Sequence, residues 1–168
     1  ISHVQQETDT IWLLYQQEPL MDTAYIHQFL LDHGSTANHV RFLCGRYETP
    51  LLRNYGPISG YAAFESNLER FIYNGQYSMY GPSSEDSIPA YLAQQWSWPL
   101  TDINLEIDGS NILHDGIKSG FSTTQLLDRN PQYTGVEVRN ILREKFNLND
   151  WVFLNPLSES GGGSNYSI

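Results

Sequence analysis

Leu51-Leu52-Arg53-Asn54-Tyr55-Gly56-Pro57 is the stretch whose reading decides the fold. Two apolar residues read as the end of a short strand from Thr49 to Leu52. A cation, an amide and a phenol follow, and Gly-Pro then turns the chain. Gly supplies backbone freedom and Pro fixes φ, so the three polar side chains are held at a strand mouth. Strand mouths are where sheets concentrate their binding and catalytic groups. The plainer reading is a strand-terminating turn with an Arg packed flat beneath it.

Upstream of this stretch, Thr10 to Tyr15 and Val40 to Cys44 have the length and composition of strands. Between them, Asp22 or Thr23 caps a helix with Tyr25, Ile26, Phe29 and Leu30 at helical spacing, and Gly34 closes it. Downstream, Tyr61 to Phe64 and Arg70 to Tyr73 read as strands and Asn74-Gly75 as a turn. Gln76 to Pro82 reads as a loop whose Tyr77, Met79 and Tyr80 either line a ligand site or pack down as a lid. Ser83 to Gln95 reads as a helix capped at Ser84 or Ser87, with Ile88, Tyr91, Leu92 and Trp96 as its apolar members.

Ile103 to Ile107 alternates like a half-buried strand; Asp108 to Asn111 turns it, and Ile112 to His114 returns. Asp115-Gly116 is another turn, and Phe121 opens a strand-like run. Val136 to Phe146 is helical, with Val138, Ile141, Leu142 and Phe146 on one face, and Trp151 to Leu154 is a last strand. Ser158 to Ile168 reads as a flexible Gly/Ser-rich end. Hairpin signals are too many for a doubly wound sheet, and there is no glycine-rich phosphate loop.

The chain has 168 residues, 40% of them hydrophobic, enough for a packed core. A net charge of −10 and a pI near 4.7 disfavour nucleic acid and anionic membrane and suit a cationic ligand. The single cysteine, Cys44, excludes an internal disulfide and metal sites built on Cys pairs; within Val40 to Cys44 it reads as a small buried hydrophobe. No stretch approaches the ~20 apolar residues of a membrane span. Opening at Ile1 without Met reads as processing, trimming or an omitted start.

His3, His27, His33 and His39 lack metal-ligand spacing, while His114, beside Asp115, is either a site residue or a polar group at a sheet end. Glu106 and Asp108 stand at i and i+2, on one face of a strand. Such a pair suits a guanidinium or amine, or else marks a solvated edge.

The order of segments then becomes informative. Arg53-Asn54-Tyr55-Gly56-Pro57 is followed by the helix carrying Pro89 to Gln95, by Leu105 to Gly116, by Thr123 to Pro131, and by Asp150 to Leu154. Together these resemble the agmatine deiminase and bacterial-type peptidylarginine deiminase family, whose runs are Arg-Asp-Tyr-Gly-Pro, Glu-Gly-Gly-Asn, and Thr-Thr followed by Asn-x-Asn-Pro. The likeness covers Val40 to Leu154. It implies an α/β (α+β) fold, part of a pentein-type propeller of ββαβ-like modules around a pseudo-fivefold axis. It also implies hydrolysis of a guanidinium to a ureido group and ammonia without a cofactor. In such enzymes a Cys thiolate attacks, a His moves protons, and carboxylates grip the guanidinium nitrogens.

Against that pattern, the gripping Asp falls on Asn54, which offers no full charge, and the Glu falls on Asp108, shorter by one methylene. Ser110 replaces a Gly, while Gly109 and Asn111 are kept. The family's His-x-Asp pair follows the strand equivalent to Trp151–Leu154, and Asn155 to Ile168 holds no His. The nucleophilic Cys lies further downstream, and Cys44 is in the wrong segment to replace it.

The expectation is a partial pentein domain over residues 1–157 with a tail over 158–168. Asn54, Asp108, Asn111, Tyr55 and Arg53 would receive a guanidinium-type ligand, and this stretch would supply no catalytic residue, metal ligand or cofactor. A propeller cut in half exposes sheet edges, so a C-terminal half or a protein partner is expected to complete it. The rival readings are a non-catalytic pentein serving as a binding or structural module, and a plain α/β interaction domain. Low Lys with abundant Tyr, Trp, Asn and Ser leans toward an exported bacterial protein and leaves the compartment open.

Overall fold

Period-two burial in Ile103, Leu105 and Ile107 against exposed Asn104 seats one strand on the core, and the rest of the chain's second part is built around it. The computed structural model describes residues 10–16, 22–35, 38–47, 49, 52–64, 67–77 and 84–156. The chain divides into two compact units, Ile1–Tyr47 and Glu48–Ile168. Met79, Tyr80 and the tail at 158–168 lie outside the described residues.

In the first unit, β1 (Ile11–Tyr15) and β2 (Val40–Cys44) pair in parallel, from Ile11 opposite Val40 to Tyr15 opposite Cys44. Helix α1 (Thr23–Asp32) connects them, as a parallel pair requires. Asp22 caps it by accepting from the Tyr25 N–H at 2.8 Å, and Gly34 ends it at φ 80°. Cys44 corrects the reading of the sequence: it is exposed, whereas Val40 and Leu43 are buried. An apolar run does not say which of its members face the core, and Cys44 is the last residue of a two-stranded pair.

In the second unit, the quoted stretch forms one helical turn, α2 (Leu52–Tyr55), rather than a strand ending at Leu52. The Gly56 N–H donates to the Leu52 carbonyl at 3.0 Å, and the buried Tyr55 hydroxyl donates to the Thr49 carbonyl at 2.8 Å. These two bonds satisfy the backbone locally, so no strand partner is needed.

Two modules of the same topology follow. In the first, β3 (Ile58–Phe64) and β4 (Asn67–Gln76) form an antiparallel hairpin, and α3 (Ile88–Trp96) carries the chain back so that β5 (Leu100–Glu106) runs parallel to β4. A 3₁₀ turn at Ser84–Ser87 precedes α3. In the second, β6 (Leu113–His114) and β7 (Ser119–Thr123) are antiparallel. Helices α4 (Gln125–Arg129) and α5 (Gly135–Phe146) lead to β8 (Asp150–Leu154), parallel to β7. Each is a ββαβ unit with the second strand central, as the resemblance implies.

Two turn readings are corrected. Asn74-Gly75 lies inside β4, at a register shift between Asn74 and Gln76. A Cβ on Gly75 would lie 2.2 Å from Ile107 Cγ1, so this glycine serves close packing. Ile112 to His114 does not return along β5; β6 pairs with β7 in a separate sheet.

Tyr73, Ile103, Leu105, Ile107, Leu126, Val138, Leu142 and Trp151 form the core, which both modules share. Burying each large side chain contributes about 1.5–3 kcal/mol. Asn130, fully buried, ties the modules: it accepts from the Glu106 N–H at 2.9 Å and donates to the Glu106 and Leu126 carbonyls, both at 2.8 Å.

The hairpin from β6 to β7 is organised by Asp115. Its Oδ1 accepts from the N–H groups of Ser119, Ile117 and Lys118 at 3.0, 2.8 and 2.7 Å, which holds its pKa down at about 2 from 3.8. A lowered carboxylate pKa contributes stability above the unfolded value that is lost as pH falls through the folded one. Asp115→Asn should therefore be less stable than the parent at pH 7. The two denaturation midpoints should converge between pH 4 and about 2.

Candidate functional site

The site is built where α2 meets the 3₁₀ turn Gly109–Asn111. Gly109 makes the approach: a Cβ there would lie 2.3 Å from the Arg53 carbonyl oxygen and 3.3 Å from that of Asn54. Asp108 caps the turn, with Oδ1 accepting from the Ser110 N–H at 2.8 Å and its Oγ at 2.7 Å. Its Oδ2 faces Arg129 Nη1 at 3.7 Å, and Asp108 is 3% exposed. The carboxylate that the resemblance assigns to a guanidinium thus already faces one, from its own chain.

Tyr77 is the residue on which the site converges. It is buried, with its ring 5.8 Å from that of Tyr55. Burial pushes its pKa up, a hydrogen bond with Asn54 opposes this, and the charges of Asp108 and Glu85 push it further up. Asn54, Tyr55, Tyr77, Ile107 and Pro89 line a cavity of about 10 Å³, room for one water. As it stands this space excludes a guanidinium, and the Tyr77 phenol fills the position beside Asn54.

The five residues singled out from the sequence are thus distributed. Asn54 and Tyr55 line the small cavity, and Asp108 acts on the same phenol through its charge. Arg53 and Asn111 line a second cavity of about 60 Å³ instead. Asn111 works from within the fold, its Oδ1 accepting from the Thr123 N–H at 2.7 Å.

Glu106 and Asp108 have separate neighbours and form no clamp. The Glu106 carboxylate bears on Asp86, whose pKa burial raises, while Asp108 faces Arg129. His114 is exposed and packs near Phe146, ring centroids 5.8 Å apart, as a polar group at a sheet end. Sequence reasoning left Tyr77 open between ligand site and lid and gave Arg129 no role, although Arg129 lies inside the quoted Thr123–Pro131 run. Among the described residues no three His, Cys, Asp or Glu converge as metal ligands, and no helix is long and apolar enough to cross a membrane.

Solved structures share this architecture. C. jejuni agmatine deiminase superposes with a TM-score of 0.71 at 15% identity, over 98% of this chain and 47% of that one. The agmatine deiminase of Enterococcus faecalis gives 0.70 at 13% identity, over 92% and 42%. These identities show the fold, a pentein-type α/β structure, and the chain spans less than half the length of each of these two enzymes. No curated relative matches. The sequence model of the Porphyromonas-type peptidyl-arginine deiminases matches residues 2–161, nearly the whole chain, and the chain belongs to that family.

Proposed function

We propose that the chain supplies the substrate-gripping part of a deiminase, which hydrolyses a guanidinium to a ureido group and ammonium. The observation that carries this reading is the packing of the turn that holds Asn54 onto Gly109, next to the buried Asp108, whose carboxylate already faces a guanidinium, that of Arg129. When substrate enters, Tyr77 gives up its hydrogen bond with Asn54, and the amide and Asp108 take the guanidinium nitrogens. Tyr55 walls the pocket. Arg53 and Asn111 shape it from behind, Arg53 through its carbonyl on Gly109 and Asn111 through its bond to the Thr123 backbone. The attacking thiolate and the proton-shuttling His come from a segment outside these 168 residues, in the same polypeptide or a partner chain.

The test is release of ureido product from agmatine, free arginine and arginyl peptides by the complete protein. Asn54→Asp restores a charged hydrogen bond worth about 1.4 kcal/mol, so kcat/KM should rise roughly tenfold. Absence of product from both forms would overturn the enzymatic reading. The amide at position 54 favours a second reading, a pentein that binds guanidinium groups without turning them over. Saturable agmatine binding with no ureido product would establish it.

A further inference from the structure

The second cavity is lined by Leu113, Phe121 and Leu154 on its apolar side and by Arg53, Ser110 and Thr123 among its polar residues. Arg53 is exposed and makes no ion pair among the described residues. Thr123 is 4% exposed, and its Oγ1 has no hydrogen-bond partner. A buried hydroxyl without a partner is costly, so its retention in a cavity points to a ligand atom.

The neighbouring oxygens are engaged. Asn111 Oδ1 holds the Thr123 N–H at 2.7 Å, Ser122 Oγ accepts from Trp151 Nε1 at 2.9 Å, and Ser110 Oγ donates to Asp108 at 2.7 Å. Arg53, the Thr123 hydroxyl and the Asn111 amide nitrogen are what remain; the guanidinium and the amide nitrogen only donate, and the hydroxyl can donate. Donors, one of them a cationic fork, suit a carboxylate. The volume, about 60 Å³, is several times that of the small cavity that has room for one water, enough for a carboxylate on a short stem.

We propose that this cavity binds the carboxylate of a short aliphatic acid. Arg53 and Thr123 hold the oxygens, and the stem lies against Phe121 and Leu154. This inference stands apart from the guanidinium reading, since it uses the Arg53 side chain and neither Asn54 nor Asp108.

The experiment titrates the complete protein with propionate, n-propylammonium and inorganic phosphate, followed by calorimetry and amide chemical shifts. Propionate should bind saturably and n-propylammonium should not. Arg53→Gln and Thr123→Val should each weaken propionate about tenfold or more. Thr123→Val should also raise the thermal midpoint, because it removes an unsatisfied buried hydroxyl, so weakened binding in that variant is not unfolding. The proposal is overturned by equal titration of propionate and n-propylammonium, by wild-type affinity in Arg53→Gln, by absence of saturable propionate binding, or by phosphate binding more tightly than propionate.

Discussion

Trp151→Ala should lower the unfolding free energy by about 4 kcal/mol, read as a shift of the denaturant midpoint at unchanged slope. Trp151 is 1% exposed and is the largest fully buried side chain of the core. Its ring lies so close to Gly120 that a Cβ there would approach Cζ3 at 2.3 Å, and its centroid is 5.4 Å from that of Phe146. Neither neighbour fills the hole: Gly120 has no side chain, and Phe146 stays stacked on Tyr73, ring centroids 4.5 Å apart. Trp151→Phe separates the contributions. It keeps most of the apolar volume but leaves Ser122 Oγ without the indole N–H, at a cost of about 1–2 kcal/mol. Equal losses in both variants would show that the hydrogen bond, rather than packing, dominates here.

Gly109→Ala should cost about 3 kcal/mol and abolish guanidinium binding. The added methyl would meet the Arg53 carbonyl oxygen at 2.3 Å, and a backbone oxygen has no rotamer to relieve the overlap. One of the two turns must move, which separates Asn54 from Asp108. Gly135→Ala is the control, since its Cβ would find only ordinary contact with Leu127 at 3.5 Å. At the start of α5 that change should be neutral or slightly stabilising. Thermal midpoints of the two variants, with agmatine titrations of each, check the contrast. Agmatine bound by Gly109→Ala as by the parent would separate the turn contact from the ligand site.

How much was legible in the sequence varies by element. Val40 to Cys44 was readable to the residue, and α5 nearly so, because Val138, Ile141, Leu142 and Phe146 recur at helical spacing; the structure adds a capping box between Thr134 and Glu137 that starts the helix one residue earlier. Leu51-Leu52 misled, since two apolar residues before a turn carry no periodicity, and the Gly56 N–H closes a helical turn on the Leu52 carbonyl while the Tyr55 hydroxyl takes the Thr49 carbonyl. Asn74-Gly75 misled for another reason. The pair that favours a hairpin is also what a strand needs where Ile107 crosses it closely. Asn54 and Asp108 were singled out as candidates through the order of motifs. Tyr77 was not settled, because its role depends on which loop aromatic folds down onto the amide.

The sequence by itself determined the family, the alternation of hairpins and helices, and the amide at position 54 in place of a carboxylate, all of which are local in the chain. Only the tertiary structure decided that the turn carrying Arg53 and Asn54 packs its backbone on Gly109, next to Asp108, that Arg53 lines a different cavity from Asn54, and that Arg129 faces the buried carboxylate. Asn54 and Asp108 are 54 positions apart in the chain, and it is the packing of β5 and β8 on a shared core, rather than any periodicity in the chain, that builds the unit in which such pairings form.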